Sequence, residues 1–179
     1  HTLTYSFGSL SGTIATKTSS TSVSWTIPTT FYAQIPNAKS GTGTITCDTY
    51  NGSTKIGSKT CSFTATVSES ASKPTLSPTV VDSNSTTTSL TGDSSKFIKY
   101  YSNASVSTGA SARNSATLKS QKITCGAKSI SSASGTINKV ESGSFTFSAT
   151  DSRGYTTTKT VKKTLINYIK LTCSLNAGA

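Results

Sequence analysis

The chain of 179 residues carries 17 basic and 6 acidic side chains, a net charge of +11, and only 32% hydrophobic residues, while serine and threonine together exceed a third. Methionine is absent and no run rich in Ala, Leu, Glu and Lys occurs, which excludes a helical bundle or a coiled coil. No apolar run approaches the ~18 residues of a membrane helix, and the one histidine, His1, leaves no sheltered base for a Ser-His-Asp or Cys-His site.

Thr2–Phe7 alternates Leu3, Tyr5 and Phe7 and predicts a strand with one buried face; a second short strand is expected around Ile14 within Ser11–Lys17. Ser22–Ile27 predicts a third, with Val23, Trp25 and Ile27 on one face. That places the only tryptophan in a core between two sheets, a sugar-stacking platform being the functional alternative. Pro28 and Pro36 stop ladder pairing, so the segment between them is expected to cross from one sheet to another. Gly43–Val67 predicts a hairpin turning at Asn51-Gly52, with Ile45, Cys47, Cys61 and Phe63 on its apolar face. Ser68–Pro74, small and polar and closed by a proline, predicts a linker.

Strands are then expected at Thr79–Asp82, Thr86–Leu90, Phe97–Asn103, Lys122–Cys125 and Gly135–Val140, with a turn at Gly92–Ser95 and weak patterning over Ala104–Lys119. A closing hairpin follows, with Phe145, Phe147 and Ala149 on one face and Asp151-Ser-Arg-Gly154 as its turn. Two hairpins of like design, about 100 residues apart, predict an all-β chain of two tandem immunoglobulin-like β-sandwiches, residues 1–70 and 71–168. Residues 169–179 then begin a further strand or domain, or form a C-terminal extension. The strand-like residues at both ends predict a piece of a longer polypeptide.

Chemistry is sparse. Cys47 and Cys61 suit buried free thiols of a protein made in a reducing cytosol; a disulfide across neighbouring strands and metal ligation are the alternatives. The acids Asp48, Glu69, Asp82, Asp93, Glu141 and Asp151 are scattered among turns and linkers; Asp82 with Asp93 is the one pairing that could imitate a glycosidase, and turn roles suit both better. No phosphate loop, dinucleotide fingerprint or metal-ligand spacing occurs, so no catalytic, cofactor or metal residues are expected and an enzyme is not. Lys96–Tyr101 is the one segment that resembles a single-strand nucleic-acid reader, and alternation makes it a core strand with a snorkelling lysine instead. Scattered lysines give solubility, edge protection and a weak attraction to polyanions.

Several short motifs, in order, carry a resemblance: Trp25-Thr-Ile-Pro28, Tyr32-Ala-Gln-Ile-Pro36, Thr49-Tyr-Asn-Gly52 with Ile56-Gly57, Lys73-Pro-Thr75, Leu90-Thr-Gly-Asp93, Tyr100–Asn103, Asp151–Gly154 and Asn167-Tyr-Ile-Lys-Leu171. The chain resembles, over essentially its whole length, a family of siphovirus structural proteins with immunoglobulin-like domains from tailed phages of Gram-positive bacteria. The resemblance implies a non-enzymatic virion component, assembled in the host cytoplasm and placed in the tail or a tail fibre as a spacer or adhesion module. Its partners would be other virion proteins, with no membrane and no specific nucleic acid. The alternative is a carbohydrate- or teichoic-acid-binding module for the host wall, whose ligand contacts would come from Tyr32, Tyr100, Tyr101 or Tyr155, flanked by Lys159.

Overall fold

The computed structural model describes residues 1–169 and Cys173. The further strand expected from Lys170 onward therefore lies outside the described residues. The chain is mostly strand with a little helix, as an all-β reading requires, and it divides into two compact units drawn from separated stretches. The first comprises His1–Thr75, Ser111–Lys119 and Thr150–Thr157; the second comprises Leu76–Ala110, Ser120–Ala149 and the described part of Thr158–Ala179.

In the first unit β1 (Thr2–Phe7), β2 (Leu10–Ala15), β3 (Ser40–Asn51) and β4 (Thr54–Thr66) form one antiparallel sheet in the order β2-β1-β3-β4. Asn51 pairs with Thr54, so the hairpin loop is Gly52-Ser53; a positive φ at Gly52 alone of the two fits a type II′ turn. The aromatic cluster on this sheet explains Gly43: a Cβ there would meet Phe63 Cζ at 2.5 Å and Phe7 Cδ2 at 2.7 Å, so only glycine lets both rings lie on the strand.

The segment expected to be a third strand, Ser22–Ile27, is not one. A serine hydroxyl captures the backbone where the segment begins: Ser20 Oγ donates to Ser22 O at 2.6 Å and accepts from Ser22 N at 3.3 Å. Val23 and Ile27 are exposed, while Trp25 still packs on the cluster, 5.0 Å from Tyr5 and 5.4 Å from Phe63 between centroids. The stretch between the prolines is a 3-10 helix, Thr29–Gln34, that drops Phe31 into the middle of the core, stacked 4.4 Å from Phe7. Ile35, Ala65, Val67 and Tyr155 complete the cluster. The expected linker is a packed turn of helix, α1 (Glu69–Ser72), with Ser72 buried and its hydroxyl bonded by Asn114 Nδ2 at 2.9 Å.

Cysteines Cys47, Cys61 and Cys125 are free, but the expectation of two buried thiols on the first hairpin fails for Cys61, which is exposed, and Cys47 is only half-buried. The reason is sheet order: β4 is an edge strand whose outer half has nothing packed on it. Cys125 is the buried one; its thiol donates to Ser142 O, and burial pushes its pKa up, which suppresses thiolate chemistry.

The later elements are β5 (Thr75–Leu76), β6 (Thr79–Asp82), α2 (Ser85–Thr91), β7 (Lys96–Ile98), β8 (Ala104–Ser107), β9 (Ala110–Ser111), β10 (Leu118–Cys125), β11 (Lys128–Ile130), β12 (Ser134–Ile137), β13 (Ser144–Asp151), β14 (Thr156–Lys162) and β15 (Thr164–Ile166). They make a four-stranded sheet, β11-β10-β13-β14, and a three-stranded one, β12-β8-β6. Along β13 every second residue is buried, as alternation foretold. The pair β15-β7 is parallel, so the strand-like residues after Val161 do find a partner.

Thr86–Leu90 is helical rather than extended. Asn84 caps α2 by accepting from Thr86 N at 3.1 Å, and Gly92 ends it in the left-handed conformation. Two caps and the Thr87 hydroxyl, bonded at 2.5 Å to buried Asp82, outweigh threonine's β preference.

Candidate functional site

The second unit builds an open surface from one abrupt change of chain direction. Phe97 and Ile98 are both buried and the strand stops there, because Ser102 draws the chain back: its hydroxyl accepts from Ile98 N at 2.7 Å and donates to Asp82 Oδ2 at 2.7 Å. Tyr100 takes a left-handed backbone, φ +66°. The consequence is that neighbouring tyrosines point outward together, Tyr100 at 56% and Tyr101 at 49% exposed. The expectation that Lys96–Tyr101 is a continuous core strand is corrected accordingly.

Two further segments border this turn. Tyr100 N donates to Val140 O at 2.7 Å and Val140 N to Ser102 O at 2.9 Å, which holds the loop of Lys139 beside it. Lys139 is itself left-handed, φ +52°, and its N–H donates to Asn103 Oδ1 at 3.0 Å. Lys128 Nζ donates to Asn138 O at 2.5 Å and Lys139 O at 2.7 Å, fixing the loop further. The pairing of β15 with β7 brings up Asn167 and Tyr168, and Tyr168 meets Tyr101 edge to face at 4.9 Å.

These groups line a concavity of about 720 Å³ floored by tyrosine and edged by Lys99, Lys139, Asn103 and Asn167. Lys99 Nζ lies 5.1 Å over the Tyr100 ring. Among the described residues no carboxylate lines the cavity; Asp82 lies behind the turn, its oxygens taken by Thr87, Ser102 and the N–H groups of Asn84 and Asn103. Beyond the Tyr101–Tyr168 pair is a second concavity of about 320 Å³, with Thr86, Leu90 and Ile98 in its wall.

Of the five residues expected to contact a ligand, only Tyr100 and Tyr101 come together at this surface. Tyr155 is 6% exposed, in the first unit's core, with its hydroxyl donating to Val67 O at 2.8 Å. Burial pushes its phenol pKa up. Tyr32 is half-buried against the same cluster, and its carbonyl accepts from Arg153 Nη2 at 2.9 Å. Lys159 is exposed on β14 and does not line the cavity. Lys139, Asn103, Asn167 and Tyr168 were not among the expected ligand contacts, and Lys99 was expected as the snorkelling lysine of a core strand; adjacent Tyr100-Tyr101 was the usable signal, since a half-buried strand cannot hide both.

The other dense polar cluster is structural. Arg153, 5% exposed, donates from Nε to Ile35 O at 2.7 Å, from Nη1 to Arg113 O at 3.0 Å, and from Nη2 to Tyr32 O and Asn114 O. Asp151 Oδ1 accepts from Arg153 N and Tyr155 N, which is the turn-capping role its sequence position suggested. Among the described residues no three of the His, Cys, Asp and Glu side chains gather as metal ligands. No helix of the described residues is long and apolar enough to cross a membrane.

The molecule is thus an all-β protein of two small units, one of which presents an open tyrosine- and lysine-lined surface. The chain belongs to the family described as "Siphovirus protein of unknown function (DUF859)", whose model matches residues 1–178, and it is a phage protein. Comparison with curated proteins finds no match.

Proposed function

We propose that the chain is a non-enzymatic structural component of the virion, assembled in the host cytoplasm and carried in the tail or a tail fibre, where its β units act as a spacer and attachment module. The observation that carries this is the siphovirus family match along residues 1–178 in a chain where buried Asp82, Arg153 and Tyr155 are engaged in holding turns and loops. Immunoglobulin-like packing of two sheets is proposed for the second unit, whose four- and three-stranded sheets both contribute buried apolar residues: Phe145, Phe147 and Ile123 from one, Val80, Val106 and Ile137 from the other. Other virion proteins are its partners, with neither a membrane nor a specific nucleic acid involved. Gold labelling of intact particles with an antibody to this chain is expected to decorate the tail. Its absence from purified particles, or release of sugars or peptides from purified host wall by the protein, would overturn the proposal.

A second reading has its own observation. Three tyrosines exposed together beside two lysines suit attachment to a host wall glycan or teichoic acid. Many copies on one particle would convert weak contacts into firm attachment.

A further inference from the structure

We propose that the second unit's paired concavities form one binding groove for a phosphate-bearing polyol or sugar chain, with a phosphate held between Lys99 and Lys139 and the adjoining carbon skeleton laid across Tyr101 and Tyr168 toward Leu90. This deepens the wall-attachment reading and rests on it for its biological meaning, while the binding itself is a property of the protein alone.

The chemistry of the groove changes along its length. Among the described residues the larger cavity offers two ammonium groups and no carboxylate in its lining, so it carries a local positive potential that attracts an anion. Among the described residues neither Lys99 nor Lys139 is in an ion pair. Asn103 spends its carbonyl oxygen on Lys139 N, which turns its amide nitrogen over to a ligand oxygen. The smaller cavity has a different wall: Leu90, 71% exposed, with Ile98 and Thr86. Tyr101 and Tyr168 line both cavities and form the ridge between them. An anion alone would fill the first; a neutral sugar would have no use for its lysines. A chain that alternates phosphate with CH-rich carbon uses both.

The site is also held ready. Two of the five left-handed non-glycine residues among the described ones, Tyr100 and Lys139, border the same cavity. Such backbones are strained for residues other than glycine and persist where the surroundings enforce them. The enforcing bonds are Lys128 on the carbonyls of 138 and 139, and Ser102 on Ile98 N. Little ordering then remains to oppose ligand binding. A nucleic-acid strand shares the phosphodiester and is the competing occupant. It is disfavoured because, among the described residues, no arginine, the usual partner of stacked bases and phosphates, borders the groove.

The test is titration of the full chain with poly(glycerol phosphate) oligomers, with inorganic phosphate, a neutral dextran oligomer and oligothymidylate as separate arms. Saturable binding to the glycerol phosphate oligomer is expected, weaker at higher salt and tighter than to any other probe. The double substitution Lys99→Gln with Lys139→Gln, and Tyr101→Ala alone, should each raise Kd by about tenfold or more. Lys159→Gln with Lys162→Gln removes the same charge elsewhere and should leave Kd unchanged. All the substituted side chains are solvent-accessible, and unchanged melting curves would show the variants folded. Equal loss in the control pair, equal binding of dextran, oligothymidylate or phosphate alone, or no binding at all would each overturn the groove. Tail labelling with no polymer binding would overturn this inference and leave the virion role standing.

Discussion

The two units hold the same pair of side chains in opposite circumstances. In the first, Lys39 Nζ lies 5.1 Å over the ring of Tyr155; in the second, Lys99 Nζ lies 5.1 Å over the ring of Tyr100. Tyr155 is buried with its hydroxyl spent on Val67 O, whereas Tyr100 is more than half exposed. Residue type and local pairing therefore do not decide between a core tyrosine and a surface one. What decides is how the neighbouring backbone is turned: Asp151 turns the chain so that Tyr155 returns inward, and Ser102, held on Asp82, turns it so that Tyr100 and Tyr101 leave the core.

The difference is broken most severely at Arg153. Its guanidinium holds four backbone carbonyls from two separate segments beside Asp151, whose Oδ2 lies 3.6 Å from Nη1 and has no hydrogen-bond partner among the described residues. Arg153→Ala strands those carbonyls and an uncompensated carboxylate, an expected loss of about 3–5 kcal/mol. Arg153→Lys should recover little, because one ammonium cannot serve so many acceptors. Denaturant midpoints measure both; a loss under about 1 kcal/mol for the alanine variant would contradict the locking role.

Tyr155→Phe comes next, with an expected loss of about 1–3 kcal/mol from the unpaired Val67 carbonyl. Tyr155 also gives the interior a pH signature. Its folded pKa is raised, first by burial and then by the Glu69 charge, so the fold favours the neutral phenol. The stability this contributes is whole below the unfolded pKa of 10.0 and is lost as pH rises through the higher folded value. Alkaline melts should show a slope that Tyr155→Phe removes. A Tyr100→Gly variant should show the contrast: relief of a left-handed backbone offsets glycine's added chain entropy, leaving stability within about 0.5 kcal/mol.

How much of this lay in the sequence follows the same line. Alternation in Thr2–Phe7 and Ser144–Asp151 revealed strands because each has one buried face. Alternation in Ser22–Ile27 misled, since hydroxyls two residues apart can satisfy a backbone without any ladder. Thr86–Leu90 misled for a related reason: the signals that mattered were Asn84 and Gly92 at its flanks, not the threonines between. The binding surface was half legible. Tyr100 and Tyr101 were marked by type, but Lys139 and Tyr168 join them only through pairings 36 or more residues away in sequence, which no local pattern encodes.

The smallest expected effect tests whether surface pairs matter at all beside the buried Arg153–Asp151 pair. On the β3–β4 hairpin, Lys55 Nζ lies 2.7 Å from Asp48 Oδ1 and Ser58 Oγ donates to the same oxygen at 2.6 Å. The bond from Lys55, then that from Ser58, holds the Asp48 carboxyl below its usual pKa of 3.8. A lowered folded pKa stabilises above the unfolded value and is lost as pH falls through the folded one, so whatever this pair contributes is present at neutral pH and disappears only in acid. Water and salt screen so exposed a pair. Lys55→Gln should therefore move the Asp48 carboxyl titration, followed by NMR, back toward 3.8 while leaving the neutral-pH melting temperature in place. A clear fall in that temperature would mean the hairpin edge is held by its charges, and the division between a locked interior and an energetically neutral surface would not extend to the first unit's own edge.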